Sequence, residues 1–165
     1  MIAYKLVDQK YRTRAGETNE TLWQLPDGSH PRIEATGAGN TPCTDGVIHS
    51  YSSPALAAFL NPLHANIKNP RCIEIETGAE LGSDGLKSWH KWAQMRTEVT
   101  MPKPTRRQRV IFAILCTRAI PGRALIPIWE LWADDFLAGR STAAEAAARA
   151  EAAAWAARAA VAEAA

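Results

Sequence analysis

A chain of 165 residues holds enough material for one domain with a proper core and an appendage. Nineteen Lys and Arg against 17 Asp and Glu leave a formal charge of +2, which argues against a strongly basic nucleic-acid face. Hydrophobic residues make up 47%, but the last 25 residues contain 16 alanines. Alanine buries little area, so the core must come from the first ~140 residues.

Cys43, Cys72 and Cys116 lie far apart, an odd number with no paired spacing, which predicts reduced thiols and a cytoplasmic location. The start alternates polar and apolar residues and carries Lys5, Asp8 and Lys10, unlike a signal peptide. Residues 47–67 hold no Asp, Glu, Lys or Arg, yet two prolines, two asparagines and two histidines argue against a membrane span.

Ile2–Val7 reads as a strand ending at Asp8, and residues 21–25 as a second, closed by the turn signal Pro26-Asp27-Gly28. Residues 28–43, rich in Gly, Pro, Thr and Asn, read as a long loop. Residues 46–51 form a short apolar strand. Ser52 or Ser53 then caps a helix opening at Pro54 and stopped by Asn61-Pro62. Arg71–Thr77 alternates, with Ile73 and Ile75 on one face and Glu74 and Glu76 on the other. Residues 78–85 read as loop, residues 88–93 as a helical turn carrying Trp89 and Trp92, and residues 94–100 as a strand.

Thr105 with Gln108 forms a capping-box pattern ahead of residues 110–116, a helix or else a buried strand. Pro127 opens a helix with Ile128, Leu131, Trp132 and Phe136 on one face and Gly139 as its C-terminal cap. Thr142 with Glu145 begins another, with no breaker before Ala165, a rod of roughly 35 Å. The expected fold is α+β: a small, mostly antiparallel sheet packed by short helices, then a helical hairpin or elbow ending in a long Ala-rich helix. The expected organisation is a globular part over residues 1–120, a connecting helix over 121–140 and the tail over 141–165.

The tail admits two readings. One is a solvated helix held by propensity, with Glu145 and Arg149 paired at i and i+4. The other is an association surface: Ala147, Ala150, Ala154, Ala157 and Val161, with Trp155 to the side, would let another helix approach closely. That second reading predicts a homo-oligomer. Of the six tryptophans, Trp23, Trp129 and Trp132 fit core positions, while Trp89, Trp92 and Trp155 are candidates for contact.

For chemistry, no cofactor or metal pattern is present, and Cys43, His49, His64 and Cys72 carry no ligand spacing. Gly37-Ala38-Gly39-Asn40 lacks the lysine of a phosphate loop. His49 stands out, in a strand directly before a capped helix, where free backbone N–H groups favour anions. Its plain alternative is a half-buried strand residue hydrogen-bonded to the loop, and the same holds for Tyr51. Arg106, Arg107 and Arg109 place positive charge against the dipole at a helix start, as an anion contact or a solvated cluster.

The stretch Cys43-Thr44-Asp45-Gly46-Val47-Ile48-His49-Ser50-Tyr51-Ser52-Ser53-Pro54-Ala55-Leu56 resembles an uncharacterised domain family common in phage and prophage proteins. That family shows a cysteine, a glycine, a hydrophobic-His pair, a small residue and Pro-Leu, between strands similar to Ala3-Tyr4-Lys5 and Cys72 to Glu76. Tyr51 stands where the usual pattern has a second cysteine, and Ala55 separates Pro54 from Leu56. The resemblance covers residues 1–118 and implies a phage or prophage source, with no activity attached. A glycine, a strand ending in aromatic and hydroxyl residues, a short helix and a glutamate-bearing strand also resemble part of the ADP-ribosyltransferase-like fold. That analogy implies a nucleotide cleft lined by His49, Tyr51 and Glu74 or Glu76. The leading expectation is a non-enzymatic phage or prophage protein acting by association, with itself or with a host protein. A virion component stands as a third possibility, and neither nucleic acid nor membrane is expected as partner.

Overall fold

Alternating side chains and β-favouring residues make Ile2–Val7 a strand, β1, which pairs antiparallel with Arg71–Thr77, β6. The structure, a computed structural model, describes residues 1–119, 127–142 and 145. Between these two strands come β2 (Arg12–Thr13), β3 (Thr21–Leu22), β4 (Arg32–Glu34) and β5 (Ile48–Ser50). After them come β7 (Gly82–Ser83), β8 (Ser88–His90) and β9 (Trp92–Val99). The main sheet runs β1-β6-β9-β4, antiparallel throughout, and a smaller sheet runs β5-β8-β7. A backbone bridge between Tyr4 and Tyr51 joins the two, and β2 pairs with β3 separately. With three α-helices added, this is the expected α+β fold.

Register decides which residues meet. Ala3 lies opposite Ile75, and Ile75 opposite Met95, so these three share a face. With Val7, Trp23, Ile48, Ile73 and Ala93 they form the core of this part of the chain. Trp23 is 1% exposed, and its indole N–H donates to Thr13 Oγ1 at 3.1 Å. The expected strand over 21–25 therefore shrinks to Thr21–Leu22. Leu25 enters a turn closed by its N–H to the Ser29 carbonyl, and Trp23 turns inward instead of continuing a ladder.

Three other expectations change. The long loop over 28–43 contains β4, paired to β9 through Ile33 and Ala93. Residues 88–93 are no helical turn but the end-to-end strands β8 and β9, and β7 occupies the expected loop over 78–85. Trp89 and Trp92, the candidates for contact, each pack against neighbours within the same chain. Trp92 stacks on the Arg32 guanidinium at 3.9 Å, while Trp89 meets the His49 ring edge-on. Both indoles lie against glycines: a Cβ on Gly82 would stand 2.6 Å from Trp89, and one on Gly78 2.6 Å from Trp92.

Helix α1 (Pro54–Leu60) starts as expected, with Ser53 Oγ accepting from Leu56 N–H at 3.2 Å. It ends at Leu60 before Asn61-Pro62, but the chain keeps coiling through a wider π-type turn, Asn61–Ala65. The Asn61 side chain holds that turn, donating to the Ile67 carbonyl and accepting from the Ile67 N–H, each at 3.0 Å.

Contacts divide the chain into two units, Met1–Lys103 and Pro104–Ala165. In the second, α2 (Arg106–Arg118) carries the complete Thr105–Gln108 capping box, which settles the helix-or-strand question over 110–116 as helix. Ile114 packs with Ala133 and Phe136 of α3 (Pro127–Leu137), flanked by Trp129, Trp132 and Leu137. The buried stripe of α3 is thus 129, 132, 133, 136 and 137, a spacing of three and four. Ile128 and Leu131, expected on one face with Trp132 and Phe136, are 72% and 65% exposed. Gly139 closes α3 at φ +78°. Thr142 and Glu145 form their capping box, with Glu145 N–H on Thr142 Oγ1 at 3.2 Å and Thr142 N–H on Glu145 at 2.6 Å. Residues 146–165, including Ala147, Ala150, Ala154, Trp155, Ala157 and Val161, lie outside the described residues. No described helix is long and apolar enough to cross a membrane.

Gly82→Ala is expected to displace Trp89 and cost about 1–3 kcal/mol, as overpacking does. Urea unfolding followed by tryptophan fluorescence measures both effects. A variant with wild-type midpoint and emission would show that the glycine is not required there.

Candidate functional site

Strand β1 places three side chains inward by alternation: Ala3, Lys5 and Val7. Two belong in a core. The third is a lysine, opposite Ile73, whose ammonium donates to the His49 carbonyl at 2.7 Å and lies 5.4 Å above the Trp23 ring. Burial, with Arg14 nearby, lowers its pKa from 10.5 to about 8. Neither Lys5 nor Lys87 takes part in an ion pair among the described residues.

Around Lys5 opens a cleft of about 380 Å3. Strand β5 contributes Ile48 and His49, and Tyr51 follows directly. The π-type turn contributes His64, whose ring stacks on Tyr51 at 6.3 Å with the planes 11° apart. Loop residues Arg14, Glu17 and Cys43 and the β7–β8 turn residue Lys87 complete the polar wall. Arg14 and Cys43 both hold left-handed backbone, φ +54° and +63°, a strained geometry that concentrates at functional sites.

The charges are unequal. Lys5, Arg14 and Lys87 face one lining carboxylate, Glu17, and Arg14 also reaches Asp45 at 3.2 Å. The imbalance registers on His49, whose pKa falls from 6.5 to about 4 through burial first, then through Lys5, Lys87 and Arg14. His49 is neutral at pH 7. Its Nε2 accepts from the Cys43 N–H at 3.2 Å, so the ring proton sits on Nδ1. Burial also lowers His64 and pushes the Tyr51 hydroxyl up to about 12, keeping it a hydrogen-bond donor.

The structure therefore brings His49 and Tyr51 together and separates them from Glu74 and Glu76. Register sets Glu74 opposite Tyr4 and Glu76 opposite Ile2, on the sheet face away from Lys5. Both carboxylates instead pair with Arg96, at 3.6 and 3.9 Å. His49 carries both features expected of it: a bond to the loop and a place on a cleft wall. The anion site expected at the helix start is not what positions it. Helix α1 has only seven residues, and Ser53 occupies one of its free N–H groups.

Cys43, His49 and His64 reach the same cleft, but Cys72 is buried in β6, its thiol pushed up to about 11 by burial. Among the described residues no three His, Cys, Asp or Glu side chains are placed to hold a metal ion. Arg107 donates to the Phe136 carbonyl at 2.9 Å and lies over the Phe136 ring. Arg106 and Arg109 are exposed on α2. Lys5, Arg14, Lys87 and Trp23 are the site residues that sequence reading misses. The one available signal was a lysine midway along an otherwise apolar strand. No family model, curated protein or solved structure matches the chain.

Because His49, His64 and buried His90 all have lowered pKa values, the unfolded chain takes up protons first as pH falls. Stability is therefore lost between about pH 6.5 and 4 and is complete above that window. His49→Gln, which still offers the Cys43 N–H an acceptor, is expected to flatten that acid loss by on the order of 1–2 kcal/mol after solvent screening. Chemical denaturation across pH 4–7 checks this, and an unchanged slope removes His49 from the account.

Proposed function

We propose that the first unit, Met1–Lys103, binds a small anionic ligand in the Lys5 cleft. One observation carries this: a half-buried ammonium group beside the apolar core, over a tryptophan and, among the described residues, without a carboxylate partner. An unpaired buried charge is costly, and a bound anion relieves that cost where no side chain does. Arg14 and Lys87 add attraction at the wall, and the neutral donors His49 Nδ1–H and Tyr51 O–H suit oxygen acceptors such as carboxylate or phosphate. This keeps the cleft of the nucleotide-handling reading but not its glutamates, so the ligand class is set by positive charge rather than by an acid.

Thermal unfolding with phosphate, pyrophosphate, a dicarboxylate and NAD tests the reading. An anion at 100 times its dissociation constant adds about 2.7 kcal/mol. Lys5 must be charged to contribute, so stabilisation is expected to weaken as pH rises through about 8. Lys5→Met should lose the anion effect and gain about 1 kcal/mol of ligand-free stability at pH 7, since it removes a buried charge. No stabilisation by any member of the panel would end the proposal.

A second reading belongs to the helical unit. Leu115 of α2 and Ile128 and Leu131 of α3 are all exposed, leaving apolar side chains of both helices in solvent. That supports association with a second copy of the chain, the behaviour expected for a phage or prophage protein of this pattern. Light scattering on the full chain, on a chain ending at Arg140 and on Ile128→Glu/Leu131→Glu distinguishes the surfaces. Loss of a dimer in the double variant assigns the interface to α3, loss only on truncation assigns it to the tail, and a monomer throughout excludes association.

A further inference from the structure

We propose that Lys5 captures the carbonyl group of a small anionic ligand, an aldehyde or a 2-oxo acid, as an imine. This rests on the anion-binding reading above and names the ligand class. The geometry carries it in three parts. The Lys5 amine borders an open cleft of about 380 Å3, large enough for a compact acid. Among the described residues its one hydrogen-bond partner is an acceptor, the His49 carbonyl at 2.7 Å, so an N–H is used there and the nitrogen lone pair is left for a ligand. Arg14 and Lys87 line the same cleft and take the acid group while the carbonyl meets the amine.

An amine reacts only when neutral, and burial beside another cation is the usual means of making a lysine so. At pH 7 about one Lys5 in ten is unprotonated, against about one in three thousand at the ordinary pKa. The step balances without any oxidant or reductant. The Nζ lone pair adds to the carbonyl carbon, and the carbonyl oxygen takes up a proton to give a carbinolamine. Water then leaves, carrying the original oxygen and two hydrogens, and a carbon–nitrogen double bond remains. Solvent in the open cleft supplies and receives the protons. The imine can lie protonated against the His49 carbonyl, in the contact the ammonium makes without ligand.

The full chain, incubated at pH 7 with glyoxylate and sodium cyanoborohydride, would be digested and mapped by mass spectrometry. Lys10, Lys68, Lys91 and Lys103, which do not line the cleft, serve as internal references. Reductive trapping is expected at Lys5 about tenfold or more faster than at any of these, and acetaldehyde, which lacks the acid group, should label Lys5 more slowly than glyoxylate does. Adding pyrophosphate should slow the glyoxylate reaction at Lys5 and leave the reference lysines unaffected. Labelling spread over the lysines according to their exposure would overturn the proposal. If pyrophosphate stabilises the fold while Lys5 stays unlabelled, the anion site stands and the imine falls. If acetaldehyde labels Lys5 as fast as glyoxylate does, the anionic ligand class falls.

Discussion

The contact between Trp23 and the face of β1 organises the first unit. The indole is buried against Ala3, Val7, Ile73 and Ile75 and tied by its N–H to Thr13, which fixes the β2–β3 pair over the main sheet. The same ring forms the floor beneath the Lys5 ammonium. One side chain thus closes the core on one side and shapes a cleft on the other. A smaller residue there would leave the lysine without its π face and the core with a void.

That arrangement sets stability against binding. A lysine at an inward strand position gives up hydration, and that loss lowers its pKa. Its tie to the fold is the bond from its ammonium to the His49 carbonyl on β5. Strain accumulates nearby as well, in the left-handed Arg14 and Cys43. Sites that hold ligands are where proteins retain such unfavourable features, because the ligand offsets them. Burial first, and then the cations around His49, keep the imidazole neutral, so its Nε2 still accepts from the Cys43 N–H in acid well below pH 6.5.

Much of the scaffold was legible from local chemistry. The alternation of Arg71–Thr77, the Ser53-Pro54 helix start and the Thr105–Gln108 box each carry their cause within a few residues, and each forms. What was not legible depends on distant partners. Strands β4, β7 and β8 are two or three residues long and exist only because another segment presents a ladder. In α3, Ile128 and Leu131 are as apolar as Trp129 and Trp132, and only the packing of Ile114 against Ala133 selects the second stripe. The cleft shows the same division. His49 and Tyr51 sit in a conspicuous motif, whereas Lys5 lies on a strand whose other face, Ile2, Tyr4 and Leu6, is more apolar than its own. Alternation alone would turn that lysine outward, and it would leave Glu74 and Glu76 free to be imagined in the cleft.

The border of the main sheet at β4 has its own consequence. A terminal strand offers unpaired backbone groups to any extended peptide, including another molecule of the same protein. Here that strand spans three residues, and Arg32 and Glu34 pair with each other along it at 2.6 Å while Arg32 also caps Trp92. A brief, ionised margin gives a stray β-segment little length to add to and two desolvation penalties to meet. Fibrous growth by strand addition is discouraged at this edge by an ion pair whose arginine also covers an indole.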